Sequence, residues 1–305
     1  MIKCIKWLRR IIIAGFVFMI SVYSISYIIE APDLNGGHII RMYDQNQQLF
    51  YQSQQQSNDV QLKDVSPYFL KSIVAIEDHR FYEHRGFDPV GILRAIKANI
   101  SENGRVEGAS TISQQYARLM FLNNDKTWSR KIQEAFLTVR LETHYNKDTI
   151  LQGYINTVYF GHGIYGIQNA SLYYFNKQPR DLDLNEASML AGVINGPEYY
   201  SPFKDLKAAK ARQKIVLDAL VAMVHEKQIT QQQANQAYQS EFKLNPHPSS
   251  TIQCAYPYYR DTVISELKEL GFYKEEYVNQ GLNIQTSLNP QIQAQLNQTI
   301  TEQMK

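Results

Sequence analysis

A dense group of ionisable and aromatic side chains occupies residues 77–86, EDHRFYEHRG. Glu77 and Asp78 stand at the end of an apolar helical pattern, and aromatic residues, histidines and Gly86 follow them. A carboxylate placed there is held by the helix before it and can act as a general base toward a hydroxyl group, such as that of a sugar. The stretch is the first candidate for a catalytic site.

A second group of candidate residues combines cations with a carboxylate. Arg118, Lys126, Arg130 and Lys131 lie close together in the sequence, and Glu134 follows Arg130 by one helical turn. Arg130 and Glu134 therefore share one face of a predicted helix. Taken alone, such a pair is more typical of a solvated surface ion pair than of a functional site.

The N-terminal sequence indicates a membrane anchor. Residues 11–29 carry no charge, and about nineteen helical residues match a hydrocarbon core of about 30 Å. Basic residues precede the run and acidic residues follow it, which predicts a cytoplasmic N-terminus with the remainder outside. A cleaved signal peptide is the alternative, although the run is longer than a typical signal and no A-x-A-like site follows.

Bulk composition narrows the class of protein. The chain has 305 residues, 44% of them hydrophobic, and a formal net charge of +2. This is enough for one large domain with a core, or for one domain with an appendage. The near-neutral charge argues against a general nucleic-acid binder. Cys4 and Cys254 would lie on opposite sides of the membrane, so no disulfide framework is expected.

From Ser66 onward the patterns are mainly helical. Ser66-Pro67 and Asp88-Pro89 each offer an N-cap followed by proline at the first helical position. Asp183 precedes Glu186 at the spacing of a capping box. Further helices are predicted for residues 111–122, 128–145, 147–160, 185–194, 205–227 and 259–270, with another that Thr230 caps. Residues 281–288 alternate like a strand.

Five segments resemble, in order, the signature motifs of the peptidoglycan glycosyltransferases. These enzymes are glycosyltransferase family 51, the polymerising half of class A penicillin-binding proteins. The segments are residues 77–86, 108–115 (GASTISQQ), 130–134 (RKIQE), 150–167 (ILQGYINTVYFGHGIYGI) and 212–217 (RQKIVL). One short motif would be weak evidence, but five in this order make coincidence an inadequate explanation.

The resemblance implies a mainly α fold with a lysozyme-like glycosyltransferase domain. It predicts a cytoplasmic tail at residues 1–10, a transmembrane helix at 11–29, a membrane-proximal linker at 30–64 and the glycosyltransferase domain at 65–245. Residues 246–305 resemble a short α/β linker that leads into a transpeptidase domain. Residues 201–204 (SPFK) and 101–103 (SEN) match two transpeptidase motifs, but in reversed order and without K-T-G, so no transpeptidase domain is expected within this sequence.

The resemblance also implies an activity and a set of site residues. The enzyme would polymerise lipid II into β-1,4-linked glycan outside a bacterial cell, with inversion and release of the polyprenyl pyrophosphate. Glu77 would be the general base. Glu134 would be a second essential glutamate, which orients cations or stabilises the departing phosphate. The residues expected to bind substrate are Asp78, Phe81, His84, Gly108, Ser110, Thr111, Gln114, Gln115, Arg118, Lys126, Arg130, Lys131, Tyr154, Asn156 and Arg212.

Several alternatives remain open from the sequence. His84 can serve a structural hydrogen bond or contact substrate, and Ser110, Thr111 and Gln114 can be a helix cap and its neighbours. The apolar run 119–122 can be core or a membrane-dipping lip. The histidines at 79 and 84 fit no standard zinc spacing, so no metal site is predicted.

Function itself has two rivals to polymerisation. A lysozyme-like glycan hydrolase would also use a catalytic glutamate, and a catalytically silent membrane-anchored scaffold would only recruit cell-wall partners. The expected partners are lipid II, the growing glycan, the membrane and other cell-wall synthesis proteins, with no nucleic acid. No tightly bound cofactor is expected, and Mg or Mn is a candidate to assist at the substrate pyrophosphate.

Overall fold

The structure, a computed structural model, describes residues 21–32, 34, 40–52, 59–101, 110–122, 127–162, 164–223, 229–245, 256–272 and 282–303. These residues are mainly helical, as predicted. The helices are α1 (Pro67–Glu77), α2 (Pro89–Ser101), α3 (Ile112–Phe121), α4 (Trp128–His144), α5 (Lys147–Thr157), α6 (Ile167–Phe175), α7 (Leu184–Val193), α8 (Leu206–Ala222), α9 (Gln231–Gln239), α10 (Pro257–Glu269) and α11 (Pro290–Gln303). The strands are β1 (Ile40–Tyr43), β2 (Leu49–Gln52) and β3 (Leu282–Gln285).

Helix α7 lies at the centre of the helical body. Every residue from Asn185 to Val193 is buried, which is the pattern of a helix surrounded by protein on all sides. Helices α1 and α8 both pack against α7 and against each other, while α3 packs on α4 and α5. The packing of α1 buries Phe69 and Ile73 completely, so the C-terminal end of α1 is held in a fixed place.

A three-stranded sheet lies beside this body, in the order β2-β1-β3. Strand β1 pairs antiparallel with β2 and parallel with β3, so that Ile40 faces Leu282. A second, smaller apolar cluster forms around Met42, Phe50 and Leu288. The strand predicted within residues 281–288 is confirmed, and its partner is a strand from near the other end of the sequence.

Helix boundaries differ from the sequence expectations where local turns intervene. The helix predicted for residues 147–160 ends at Thr157. Beyond it, Gly161 has φ +87° and His162 φ +54°, which turns the chain so that Tyr159 and Tyr165 form an isolated β-bridge. Helix α6, which no start signal predicted, begins after Gly166 at φ +77°. A left-handed conformation at this position favours glycine.

The helix starts predicted at Ser66-Pro67, Asp88-Pro89 and Asp183 are confirmed, but the capping bond is absent at Ser66. Asp88 accepts a hydrogen bond from the Val90 amide, and Asp183 and Glu186 form the expected capping box. Ser66, by contrast, makes no capping bond. Its hydroxyl donates instead to the carbonyl of Leu182, 2.7 Å away. A tertiary contact has replaced the local one that the sequence suggested.

The predicted membrane-spanning segment, residues 11–29, lies partly outside the described residues. Residues 21–28 are helical. None of the helices in the described part of the chain has the length and apolar character needed to cross a membrane. Side chains of the helical body bind this N-terminal segment: the Tyr145 hydroxyl donates to the carbonyl of Pro32 and Arg140 donates to that of Glu30. The single-pass topology remains a prediction.

Helices α3 and α5 approach each other closely at Gly153. A Cβ atom added at Gly153 would lie 2.2 Å from the Tyr116 hydroxyl oxygen and 2.3 Å from its Cζ atom. Tyr116 is buried, so its ring cannot move into solvent to make room. Glycine at this position therefore sets the distance between the two helices, and these helices carry Gln115 and Tyr154.

We expect Gly153→Ala to lower the free energy of unfolding by about 1–3 kcal/mol, because overpacking outweighs the gain in helix propensity. Urea unfolding of the detergent-solubilised chain would measure this. The double variant Gly153→Ala/Tyr116→Leu should lose less than the sum of the two single changes. Unchanged or increased stability of Gly153→Ala would show that the helices can separate at no cost.

Candidate active site

The Glu77 carboxylate lies at the C-terminal end of α1, inside the protein. Its Oε2 atom accepts a hydrogen bond from the Gln115 side-chain amide at 2.7 Å. Its Oε1 atom is buried and has no hydrogen-bond partner among the described residues. Burial raises the pKa of Glu77 and the nearby Asp78 carboxylate adds to the rise, while the Gln115 hydrogen bond opposes it. The group is therefore a stronger base than an exposed glutamate, with one oxygen held and one left for a proton.

Two arginines from different helices face this carboxylate. Arg118 lies on α3, one turn beyond Gln115, and Arg212 lies on α8. Both attract the ionised form of Glu77 and so oppose the rise in its pKa. Burial in turn lowers the pKa of Arg212, an effect that the Glu77 charge counteracts. Three of the sequence motifs thus meet at one point, and each charge there helps to keep the other ionised.

Asp78 and His84 brace the loop that follows α1. The Nε2 atom of His84 lies 3.0 Å from both carboxylate oxygens of Asp78. Asp78 Oδ2 also accepts a hydrogen bond from the backbone amide of Ile112, in the first turn of α3. Both side chains are buried. The geometry favours the structural alternative for His84, because its Nε2 atom is committed to Asp78.

Other expected site residues hold the same loop in place. The Thr111 hydroxyl donates to the carbonyl of Gly86 at 2.6 Å, and Thr111 and Gln114 form a capping box at the start of α3. Phe81 is fully buried, with the Lys147 amine 4.4 Å from its ring centroid. Gly86 itself has φ +87°. These side chains position the loop rather than line an open cleft.

Glu134 is a buried acid held between two cations. Only 1% of its side chain is exposed. Arg130 contacts one carboxylate oxygen at 2.6 Å, and the Lys131 amine pairs with the other. The solvated surface pair that the spacing alone suggested is not what the structure contains. Both cations are drawn to this buried carboxylate, because each contact offsets part of the cost of burying its charge.

The remaining expected residues differ in where they lie. Tyr154 is fully buried, and its hydroxyl donates to Gln115 Oε1 at 3.1 Å. Asn156 binds both the amide and the carbonyl of Val60, so its side-chain amide is engaged by the backbone. Ser110 is partly buried and lies two residues before the start of α3. Gly108 and Lys126 lie outside the described residues.

One buried ion pair behind the loop was not anticipated from the sequence. Glu142 accepts hydrogen bonds from the Lys147 amine at 2.7 Å and from the Ser113 hydroxyl. Lys147 in turn lies over Phe81. The partners of Glu142 lie on other helices and not one turn away on α4. Helical spacing in the sequence therefore could not predict this ion pair.

The apolar residues near the cations fall into two sets. Residues 119–122 pack partly buried against the main core, in line with the core alternative. Trp128 and Ile132, in the first turns of α4, are 87% and 69% exposed. They flank Arg130 and Lys131 in the sequence.

Metal ligation finds no support in the described ranges. No group of three or more histidine, cysteine, aspartate or glutamate side chains there is arranged to hold a metal ion. The acids of the site are instead paired with arginine, lysine, histidine or amide donors.

Residues 44–221 match the family model described as Transglycosylase. The chain therefore belongs to this family, and the resemblance inferred from its motifs is confirmed. Penicillin-binding protein 2D of Bacillus subtilis (strain 168) is 43% identical over 245 residues, which are 80% of this chain and 35% of that protein. Penicillin-binding protein 1A of Escherichia coli (strain K12) is 37% identical over 241 residues, 79% of this chain and 28% of that protein.

The chain thus spans about a third of the length of these relatives. Penicillin-binding protein 1F of Bacillus subtilis (strain 168) gives a similar picture, with 34% identity over 88% of this chain and 36% of that protein. A crystal structure of Penicillin-Binding Protein 1A from Haemophilus influenzae covers 87% of this chain and 29% of that chain, at 19% identity and a TM-score of 0.39. That structural likeness is too low to support an argument.

We expect Asp78→Ala to lower the free energy of unfolding by about 3 kcal/mol, because it leaves the buried His84 and the Ile112 amide without their acceptor. Chemical unfolding monitored by circular dichroism would measure the change. The control is Glu83→Ala in the same stretch, which removes an exposed partner of Arg80 and should leave stability unchanged. Equal effects of the two changes would contradict the bracing role of Asp78.

Proposed function

We propose that this chain is a peptidoglycan glycosyltransferase that polymerises lipid II into glycan strands. The observation that carries the proposal is the Glu77 carboxylate, buried, with a raised pKa, one free oxygen and two facing arginines. The match to the family model described as Transglycosylase agrees with this chemistry. The lysozyme-like character of the domain, and its limits at residues 65 and 245, belong to the same proposal.

Glu77 acts as the general base in this scheme. Its free oxygen takes the proton of the acceptor 4-hydroxyl as that oxygen forms a bond to the anomeric carbon of the donor. The bond from that carbon to the pyrophosphate oxygen breaks at the same time, so the linkage is β-1,4 and the configuration inverts. A base whose pKa is raised toward the working pH accepts the proton more readily while remaining ionised before the reaction.

The departing pyrophosphate carries concentrated negative charge, which cations must stabilise. Arg118, Arg130 and Lys131 supply that charge, together with Lys126. Guanidinium groups suit phosphate oxygens because two N–H donors can bind at once. Glu134 orients Arg130 and Lys131 toward the leaving group. A divalent cation, Mg or Mn, would be held by the pyrophosphate of the substrate itself rather than by a protein site.

The lipid-linked substrate calls for a membrane-bound enzyme. We propose a single-pass protein of the bacterial cell membrane, with a cytoplasmic N-terminus and an extracytoplasmic catalytic domain. Exposed Trp128 and Ile132, which flank Arg130 and Lys131 in the sequence, offer apolar contacts to the bilayer. The partners are lipid II and the growing glycan, along with other cell-wall synthesis proteins.

We expect Glu77→Gln to slow polymerisation about a thousandfold, since general-base catalysis contributes roughly 10²–10⁴ to the rate. Fluorescent lipid II in vesicles, followed by gel separation of the glycan products, would measure this. Glu83→Gln, which changes an exposed neighbour, should retain full activity. If the chain shortened finished glycan and made no polymer, the hydrolase would be the correct function. If Glu77→Gln polymerised at the normal rate, the assigned base would be wrong.

The pH dependence follows from the raised pKa of Glu77. The base must be ionised, so kcat/KM should fall as the pH drops through the raised pKa, at a higher pH than for an exposed glutamate. Initial rates of polymerisation between about pH 4 and 8 would locate this acidic limb. Thermal unfolding over the same range controls for loss of structure. A limb at or below the ordinary glutamate range would contradict the buried base.

A further inference from the structure

A chain of three side chains from three helices ends at the Glu77 carboxylate. The Tyr154 hydroxyl on α5 donates to Gln115 Oε1 at 3.1 Å, and Gln115 Nε2 on α3 donates to Glu77 Oε2 at 2.7 Å. Glu77 is the last residue of α1. The three groups therefore form a continuous line from the packed core to the proposed base.

The direction of each hydrogen bond in this line is determined by chemistry. An ionised carboxylate only accepts, so Gln115 must turn its NH₂ group toward Glu77. The amide oxygen then faces Tyr154 and requires a donor. Burial and the nearby Glu77 charge raise the pKa of Tyr154, so its hydroxyl keeps the proton that it donates. Without the Tyr154 hydroxyl, the Gln115 amide oxygen would lose its donor and the amide would be held only through its bond to Glu77.

Tyr154 cannot reach a substrate from where it lies. Its side chain is completely buried, among the largest fully buried side chains of the described residues. Its place is fixed by the close approach of α3 and α5 at the adjacent Gly153. Because the Tyr154 hydroxyl contacts Gln115 and not the substrate, any effect of Tyr154 on the reaction must pass through Gln115.

We propose that Tyr154 is a positioning residue that acts through Gln115 to hold one oxygen of Glu77, so that the other oxygen is presented to the acceptor hydroxyl. The expected effect on kcat rests on the proposed function. The positioning of the Glu77 carboxylate does not, because it can be measured in the protein without substrate. It differs from the substrate-binding role that the motif resemblance suggested for Tyr154 and Gln115.

Every charged or titratable group that faces Glu77 bears on its protonation. Arg118 from α3 and Arg212 from α8 favour the ionised form, as does the Gln115 hydrogen bond, whereas the neighbouring Asp78 charge opposes it. Among the described residues, Tyr154 from α5 is the remaining group, and it is neutral. Release of Gln115 should therefore raise the pKa of Glu77 further, since a hydrogen bond to the charged form is lost.

The first test compares two buried tyrosines that each donate one hydrogen bond. Tyr154→Phe should lower kcat about tenfold with KM within about twofold, as loss of one aligning hydrogen bond predicts. Tyr174→Phe is the matched control, because the Tyr174 hydroxyl donates to the carbonyl of Phe160 at 2.7 Å. That variant should keep kcat near the wild-type value. Equal kcat for the two variants, whether lowered or unchanged, would overturn the proposal.

The second test asks whether Tyr154 acts through Gln115. The effects of Tyr154→Phe and Gln115→Leu on kcat should not add, and the double variant should match Gln115→Leu alone. Additive losses would mean that Tyr154 acts by another route, and would overturn the proposal.

The third test needs no polymerisation. In ¹³C-glutamate-labelled protein, the Glu77 carboxyl resonance is assigned by its loss in Glu77→Gln, and its titration is followed by NMR. Tyr154→Phe should move the midpoint to higher pH, and Tyr174→Phe should leave it in place. A shifted midpoint in a chain that makes no polymer would support the positioning role and refute the proposed function. An active chain with an unmoved midpoint would refute the positioning role alone.

Discussion

The Glu77 charge is buried at the C-terminal end of α1, and the rest of the site depends on keeping it there. The carbonyl end of a helix carries partial negative charge, so a carboxylate at that end is disfavoured by the helix as well as by burial. Gln115 and Arg118 on α3 and Arg212 on α8 offset these costs. Each of these three groups must be held rigidly. In a low-dielectric interior, a small displacement of one of them strongly changes the free energy of keeping Glu77 ionised.

This requirement explains why so many motif residues face inward. The loop after α1 is neither helix nor strand, so its backbone lacks regular hydrogen bonds. Side chains make hydrogen bonds in their place. Asp78, in this loop, holds the amide of Ile112, and Thr111 holds the carbonyl of Gly86. In the irregular segment before α1, Asn156 holds both backbone groups of Val60 in the same way. Buried backbone groups outside helices and strands need such partners. Many motif residues of this chain therefore hold the backbone around the reacting groups in place and do not react themselves.

The sequence predicted what depends on local spacing and failed where distant segments meet. The helix starts at Asp88 and Asp183 and the pairing of Arg130 with Glu134 all follow from contacts within one turn, and each was predicted. The hydrogen bond from Tyr154 to Gln115 joins residues 39 positions apart, and that from Asn156 to Val60 joins residues 96 apart. Such contacts form only when the helices pack together, so the periodicity of the sequence does not predict them. The motif resemblance marked Gln115, Tyr154 and Asn156 as site residues. It did not tell which site residues contact the substrate and which hold the protein structure in place.

The parallel pairing of β3 with β1 has a consequence for the order of folding. The antiparallel β1–β2 pair can form as soon as its own residues are made, but one edge of β1 stays open until Leu282 and its neighbours have been synthesised. The helical body lies between these two strands in the sequence, and contacts of such separation form slowly. The sheet can therefore be completed only after the helical body has been synthesised, and until then the edge of β1 is open to wrong pairing.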